Sequence, residues 1–449
     1  MSKHFFSLCT SLLCLSSAIS ISSAYAATQV EQYTLKNGLQ VIIRPDHRTP
    51  MVMSQIWYKV GSTDESGNTL GVAHVLEHMM FKGTYKVPND EFTRLSRRYG
   101  GRINASTFTN YTNYYQLYPK AYFPLALELE ADRMTNLQLR EEDLRTELKV
   151  VMEERRQRTD NSARNVAFER FKWISYPTSH YRQPVIGHMK TLNQIQFKDV
   201  QQWYKTWYAP NNAILVIVGD VEPKSTLKQV EKYFGGIAKQ ELPIRNDVQE
   251  FEQLGYRHMQ IKTNVQLPQL YMTWNVKSLA SAPQPEDAFA LLMTQQLLDS
   301  GISSRLQQRL VQQQKLLSSV SVRYDPYQRG DALFSISAMP SAKVSLADAR
   351  KAIETEIEKL ATEHIEPREF QRIQSRLNAN LVYGQDDLTG QAQLLGNWAV
   401  NGLDLNMLDQ LPQIYQRIDQ KRVQAAIRRY LVEDNLSTLH LLPQTTTGK

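Results

Sequence analysis

The order of secondary-structure signals in this chain occurs twice, and this repetition constrains the fold more than any other feature. The segment SQIWYKV, which contains Trp57, is echoed by LYMTWNV, which contains Trp274, 217 residues later. The segment WYAPNNAILVIVGD at 207–220 is echoed by RRYLVEDNLSTLHLLP at 428–443. Self-similarity of this length is simplest to explain as one supersecondary unit used twice. The sequence therefore predicts a mixed α/β (α+β) fold with two homologous domains.

The first 26 residues have the pattern of a secretory signal peptide. Lys3 precedes an apolar run over 5–18, and Ala24-Tyr25-Ala26 forms a small-residue cleavage site. An uncleaved membrane anchor is the alternative, but the run is short and rich in serine. We therefore predict that residues 1–26 are removed, that the mature chain lies in the periplasm, and that it has no membrane span.

A loop-like stretch separates the two repeats. It begins after Phe234-Gly235-Gly236, contains Pro243 and carries mixed charge, which is typical of a linker. We predict a catalytic domain over 27–236, a linker over 237–256 and a second homologous domain over 257–449.

Charge and cysteine content argue against a nucleic-acid-binding protein and against a fold stabilised by disulfides. The formal net charge is +7, and the 52 Lys and Arg residues are scattered rather than grouped, so no nucleic-acid partner is predicted. The two cysteines, Cys9 and Cys14, both lie in the predicted signal peptide. The mature chain then has no disulfide, and a large apolar core must provide its stability.

The motif His74-Val75-Leu76-Glu77-His78 lies in a stretch with helical apolar spacing. His74 and His78 are one turn apart, so both imidazoles project from one helix face and can bind one divalent ion, usually zinc. Glu77 can reach a metal-activated water without being a ligand, which suits a general base. The alternative is a partly buried histidine pair without a metal.

A second candidate segment is the charged helix predicted over 141–158. Glu147 and Glu154 are two turns apart and share a face, whereas Glu153 points elsewhere. From spacing alone, these carboxylates could equally belong to a solvated charged face.

Together these motifs resemble the pitrilysin/insulinase family of zinc peptidases, which has H-x-x-E-H and a distant third-ligand glutamate. The resemblance extends to FKGT at 81–84, GGRINASTFTNYTNYY at 100–115, the 207–220 strand and SSRL at 303–306. It covers essentially the whole mature chain, and its motifs are strongest in the first half. It implies that each domain is a mainly antiparallel sheet packed with helices, and that the two domains form one half of a clamshell chamber.

The resemblance also implies roles for individual residues. His74, His78 and Glu154 become the ligands of one Zn2+ per chain, and Glu77 becomes the catalytic base. Glu147 becomes an outer carboxylate that orients a ligand.

The same resemblance predicts a substrate-binding strand. Its residues, Asn104, Ala105, Ser106 and Thr107, match an exposed edge strand of the family that pairs with the backbone of a peptide substrate. From the pattern alone, an ordinary half-buried strand is the alternative.

The second repeat departs from the first at the metal site. An offset of 217 residues carries the motif positions onto Leu291, Thr294 and Gln295, which cannot bind zinc as the histidines do. One catalytic site per chain is therefore predicted.

A second departure concerns a pair of residues, Arg and Tyr, that active members of the family often carry after SSRL. Val311 and Ser318 occupy those positions here. A homologous two-domain chain would then supply the pair in a heterodimer, with a homodimer as the second choice. Arg323 or Tyr324 could instead replace the missing pair.

The sequence thus predicts a periplasmic zinc metalloendopeptidase that hydrolyses unstructured peptides. The alternative, from another class, is a non-catalytic assembly or binding subunit of a peptidase-like complex. Such subunits lose the H-x-x-E-H residues, and this chain keeps all of them.

Overall fold

A computed structural model describes residues 30–246, 248–252 and 254–444. The predicted signal peptide over 1–26 lies outside these residues. Among the described residues, no helix combines the length and apolar character that crossing a membrane requires.

The described residues form strands in both halves of the chain. The strands are β1 (Glu31–Thr34), β2 (Gln40–Pro45), β3 (Met51–Tyr58), β4 (Arg102–Thr107), β5 (Thr112–Pro119), β6 (Ala213–Gly219), β7 (Arg257–Thr263), β8 (Gln269–Val276), β9 (Leu317–Arg323), β10 (Ala332–Pro340) and β11 (Leu436–Pro443).

Helices surround the strands in both halves. They are α1 (Val72–Met79), α2 (Glu91–Arg98), α3 (Phe123–Asn136), α4 (Glu141–Arg155), α5 (Ala163–Ser175), α6 (Met189–Leu192), α7 (Phe197–Trp207), α8 (Pro223–Phe234), α9 (Pro285–Leu298), α10 (Leu346–Thr362), α11 (Pro367–Tyr383), α12 (Leu388–Val400), α13 (Leu411–Arg417) and α14 (Gln420–Tyr430).

The two sheets have the same topology. The first sheet has the order β1-β2-β6-β3-β5-β4, and the second has the order β7-β11-β8-β10-β9. Apart from β1, each strand has an equivalent at the same position, and in both sheets only the first equivalent pair, β2–β6 or β7–β11, is parallel. The predicted fold class, two homologous domains with mainly antiparallel sheets packed with helices, is confirmed. The domain boundaries stay a prediction, although residues 235–256 contain no strand or helix among those described.

The central strands of the first sheet are buried on both faces. Along β6, Leu215 and Ile217 pack in the core of the first half, whereas Ile214, Val216 and Val218 belong to a core that extends through the second half. Because successive side chains of a strand point to opposite faces, an apolar run without polar alternation predicts a layer on each side.

The layer on the far face comes from the second half of the chain. Helix α12 lies against β6 and β3, with Leu395 and Trp398 in the same core as Trp57. Gly396 faces the indole ring of Trp57, and a Cβ atom at this glycine would overlap that ring. The two halves are therefore interlocked by an exchanged helix.

Helix α5 makes the reverse contact. Ala167 and Phe171 pack on the second sheet against Tyr271, Leu439 and Leu441, although the helix belongs to the first half. Its other face is turned toward the cavity that contains the motif residues.

Candidate metal centre

Helix α1 carries all three motif residues, and its beginning is fixed by two buried features. Gly71 precedes the helix with φ +100°, where a Cβ atom would lie 2.9 Å from the carbonyl oxygen of Ile186. The fully buried Glu65 carboxylate accepts hydrogen bonds from the backbone N–H groups of Gly71 (2.7 Å) and Ala73 (2.8 Å). Burial raises the pKa of Glu65 well above its usual value. Glu65 could not be recognised from the sequence, because no local period marks a carboxylate that caps a helix from outside.

The side chains predicted to bind zinc converge. Glu154 Oε2 lies 3.6 Å from His74 Nε2 and 3.6 Å from His78 Nε2. All three ligand atoms lie within 4.8 Å of one another, and no other His, Cys, Asp or Glu group of this kind occurs among the described residues. Metal–ligand bonds of 2.0–2.2 Å in a tetrahedron place ligand atoms about 3.4 Å apart. The three atoms therefore fit one zinc ion, with a fourth position left for water or substrate.

The electrostatics also favour a cation at this point. Burial, and then the proximity of His78, lower the pKa of His74 to about 3, so its imidazole is neutral, as metal binding requires. Burial would lower the pKa of His78, but its bond to Glu147 and the charges of Glu77 and Glu154 outweigh burial and raise it. An excess of carboxylate around these imidazoles is relieved by a bound cation.

Glu147 lies behind His78. Its Oε2 atom is 3.0 Å from His78 Nδ1, which leaves Nε2 of that imidazole directed at Glu154. Lys82 Nζ lies 2.5 Å from the other oxygen of Glu147. The bond from His78, and then Lys82, lower the pKa of Glu147 and keep it ionised. This contact holds the His78 ring in one orientation and favours the tautomer with its proton on Nδ1. Lys82 was not identified from the sequence.

Glu77 faces the same cavity but is not part of the ligand group. Thr107 Oγ1 donates a hydrogen bond of 2.6 Å to Glu77 Oε2. Burial raises the pKa of Glu77, although this bond and the charge of His78 oppose the change.

The predicted substrate strand lies where it can meet a ligand. Asn104, Ala105, Ser106 and Thr107 are in β4, which is the edge strand of the first sheet, and all four line the cavity. The cavity has a volume of about 1220 Å³, and its lining residues all fall between 74 and 186. An edge strand that borders a cavity has unpaired backbone groups, which an extended peptide can pair with.

The residues considered for the missing Arg/Tyr pair lie elsewhere. Ser318 donates to Met339 O (3.0 Å) on the second sheet, and Val311 packs against the core of the second half. The hydroxyl of the buried Tyr324 donates to Lys277 O (2.7 Å). Arg323 is the last residue of β9 and is exposed. None of the four lines the cavity of the motif residues.

The second repeat keeps the helix but not the side chains of the motif. Leu291, Thr294 and Gln295 lie in α9 at the positions of the motif, and Gln295 donates to Val322 O (3.0 Å). These three side chains do not form a group of the kind made by His74, His78 and Glu154 among the described residues.

Two family models match the chain. The model described as insulinase (peptidase family M16) matches residues 40–188, and the model described as the peptidase M16 inactive domain matches residues 194–377. The chain belongs to the pitrilysin/insulinase family. Within this family, the insulinase model covers the stretch that contains H-x-x-E-H, whereas the inactive-domain model begins beyond it and extends through much of the second repeat.

Relatives of the chain within the family include named zinc proteases. The zinc protease PqqE of Helicobacter pylori is 29% identical over 418 residues, which cover 92% of this chain and 93% of that protein. An uncharacterized zinc protease of Bacillus subtilis, YmxG, is 22% identical over 405 residues, which cover 90% of this chain and 96% of that protein.

Solved structures of the family share the fold. A protease from Helicobacter pylori superposes with a TM-score of 0.85 at 29% identity, over 93% of this chain and 100% of that chain. The periplasmic protease PqqL from Escherichia coli superposes with a TM-score of 0.79 at 19% identity, over 92% of this chain and 47% of that chain.

The tandem glutamates give a test of the ligand assignment. Glu154→Gln is expected to lower zinc occupancy sharply, because Glu154 faces both imidazoles. Glu153→Gln should change it little, because this exposed carboxylate pairs with Arg156 Nη1 at 2.9 Å. Glu147→Gln should fall between them, since the loss of an outer partner typically costs roughly 10-fold to 100-fold in metal affinity. Zinc titration with a competing chelator gives all three affinities, and a larger loss for Glu153 than for Glu154 would show that the assignment is wrong by one residue.

Proposed function

We propose that this chain is a zinc-dependent endopeptidase that hydrolyses unstructured peptides. The observation that carries the proposal is the convergence of His74, His78 and Glu154 in a cavity that also contains Glu77 and the edge strand β4. A metal position, a base and a strand-pairing surface are the parts that peptide hydrolysis of this type needs.

The chain's own residues account for orientation and proton transfer. His74, His78 and Glu154 would hold the zinc, and Glu147 would orient the imidazole of His78 through Nδ1. Zinc, when bound, supplies a Lewis acid that polarises a carbonyl and makes water more acidic. Thr107 fixes Glu77 through Oε2, so Oε1 of Glu77 is the atom that takes the proton from the attacking water. The same carboxyl group then gives the proton to the leaving amine.

Strand β4 would position the substrate. A peptide that adds to this edge presents its backbone to Asn104–Thr107 and its carbonyl groups to the cavity. Since main-chain pairing requires an extended chain, we infer that folded proteins are poor substrates and unstructured peptides are good ones.

We further propose that the chain acts in the periplasm and that a homologous two-domain chain completes its chamber. The predicted signal peptide over 1–26 supports the location, as does the related fold of a protein described as a periplasmic protease. This chain covers 47% of that protease, which is therefore about twice as long. The second chain would supply the Arg/Tyr pair, because this chain has Val311 and Ser318 at those positions. A homodimer is the second choice.

The alternative of a non-catalytic subunit is weaker. One family model that matches the chain describes an inactive domain, but its match begins at residue 194, outside the motif and its glutamates. We therefore infer that the inactive-domain description applies to the second repeat.

Mixing experiments test the function and the partner together. The zinc-loaded chain alone is expected to cleave a quenched fluorescent peptide poorly, and a homologous chain with the Arg/Tyr pair should raise turnover until the ratio reaches 1:1. The reason is that two half-shells must close around the peptide, which requires an extensive interface. Size-exclusion chromatography follows assembly in parallel. Full turnover by a monomer would remove the need for a partner, whereas full turnover by a homodimer would replace the second chain by another copy of this one.

A further inference from the structure

One wall of the cavity is formed by α5 and the loop after it. Phe168, Glu169 and Lys172 lie on the face of α5 that lines the cavity, because they are spaced by three and four residues. The opposite face carries Ala167 and Phe171, which pack on the second sheet. The helix is therefore fixed from behind, and the side chains on its cavity face have defined positions.

Lys172 is a half-buried cation of this wall that lacks an acidic partner. Its ammonium group makes no ion pair or hydrogen bond within the part of the chain that the structure describes. Glu169, the nearest acidic residue in the sequence, is already used by Arg155 Nη2 (3.0 Å) and His188 Nδ1 (3.2 Å). Burial lowers the pKa of Lys172 to about 8, although the charge of Glu169 acts against this change. Moving a cation out of water without an ionic partner costs free energy. A ligand of the opposite charge that binds the cation offsets this cost.

Arg182 adds a second cation to the same wall. Its guanidinium group lies over the ring of Trp173, 4.9 Å from the ring centroid, and donates to the carbonyl oxygen of Pro177. Its Nε atom is buried without a hydrogen-bond partner, and no carboxylate of the described residues pairs with it.

The other carboxylates of the cavity are engaged. Glu153 pairs with Arg156 (2.9 Å), and Glu154 Oε1 pairs with Arg158 Nη1 (2.7 Å) while its other oxygen faces the imidazoles. Glu77, the remaining carboxylate of the lining, accepts the bond from Thr107 Oγ1 (2.6 Å). None of these carboxylates forms an ion pair with Lys172 or Arg182 among the described residues. An anion at this wall has to come from the molecule that enters the cavity.

We propose that Lys172, supported by Arg182, forms a subsite for a carboxylate of the bound peptide. The carboxylate belongs either to an acidic side chain or to the C-terminus of the peptide, since both have the same chemistry. A peptide paired with β4 directs alternate side chains toward the cavity, so one acidic residue at the right position can reach the wall. The inference rests on the proposed function and adds a substrate class, namely peptides with a suitably placed negative charge.

Binding of matched peptides tests the subsite. The full-length chain carrying Glu77→Gln is loaded with zinc, so that peptides bind without being consumed, and fluorescence anisotropy measures their affinity. The probes are neutral, unstructured peptides that carry one Glu, or one Gln as the control, at each position in turn. Each is made with a C-terminal acid and with a C-terminal amide, which separates the two sources of the carboxylate.

One position of the glutamate, or the acid form of the C-terminus, is expected to improve affinity roughly 10-fold to 100-fold, as for hydrogen bonds to charged groups. Lys172→Gln should abolish that preference and Lys172→Arg should retain it. Lys172→Glu should reverse it in favour of a peptide with Lys at the same position. Lys149→Gln, which removes an exposed lysine from the rim of the same cavity, is the matched control and should leave the preference intact.

The outcomes distinguish the two proposals. Equal affinities for the Glu and Gln peptides, with clear binding of both, would overturn the subsite and leave the peptidase function standing. A preference that persists in Lys172→Gln would also overturn it. A preference that depends on Lys172, in a wild-type chain that never cleaves peptides even with its partner, would support the subsite and overturn the peptidase function.

Discussion

Replacing Glu77 by glutamine is expected to lower kcat/KM for peptide cleavage about 100-fold to 10,000-fold, the usual contribution of a general base. The amide cannot take a proton from water, but it has nearly the same shape and still accepts the bond from Thr107 Oγ1. Zinc content should stay at about one per chain, because Glu77 is not one of the converging ligand atoms. A quenched peptide assay and metal analysis of the same sample give the two values.

Glu153→Gln is the matched control for this substitution. It removes a carboxylate from the same cavity, but one that is exposed and paired with Arg156, so turnover and zinc content should both stay near the wild-type values. Loss of zinc from Glu77→Gln would show that Glu77 is a ligand. Turnover at the wild-type rate would exclude it as the base.

Trp57→Ala is expected to lower the free energy of unfolding by about 3–5 kcal/mol, the usual range for a buried tryptophan. Trp57 is fully buried, its Nε1 donates to Gln55 Oε1 (3.1 Å), and its ring lies 4.7 Å from that of Tyr111. Gly396 of α12 lies directly against the ring, so the cavity left by alanine would open between the two halves of the chain. Urea unfolding of the zinc-free proteins measures the loss without a contribution from metal binding.

Trp173→Ala is the matched control, because it makes the same change of side chain at a partly exposed position. Trp173 is 41% exposed, so its replacement removes less buried apolar surface than that of Trp57 and should cost less, about 1–2 kcal/mol. If both variants lose a similar free energy of unfolding, burial of Trp57 between the two halves makes no special contribution to stability.

Local periodicity accounts for what could be predicted from the sequence. The motif helix and α4 follow from spacings of three, four and seven residues, and such spacings place side chains on one face wherever the helix lies. The two sheets follow from the repetition of an apolar strand around Trp57 and Trp274. The family resemblance then supplied the pairing of α1 with α4, which the spacing of Glu147 and Glu154 left open.

Contacts between distant segments could not be predicted in the same way. Glu65 binds the first N–H groups of α1, and Lys82 binds Glu147, but neither contact leaves a period in the sequence. Lys172 lies in an amphipathic helix with no distinctive pattern, and only the packing of α5 on the second sheet places this side chain in the cavity of the motif residues. The sequence also gives no sign that α12 lies on the sheet of the other half, because an apolar helix does not specify which sheet covers it.

The exchange of α12 has a consequence for how this chain can vary. The duplicated copies no longer form separable modules, because the helix that covers Trp57 and Ile214 is encoded more than 130 residues beyond the predicted linker. A chimera that joins the first half of this chain to the second half of a relative inherits a foreign helix on the sheet that borders the candidate metal centre. Such a recombinant keeps its core only if the position of Gly396 remains small enough for the indole ring. The two copies are therefore constrained to evolve together, although only one of them carries the H-x-x-E-H motif.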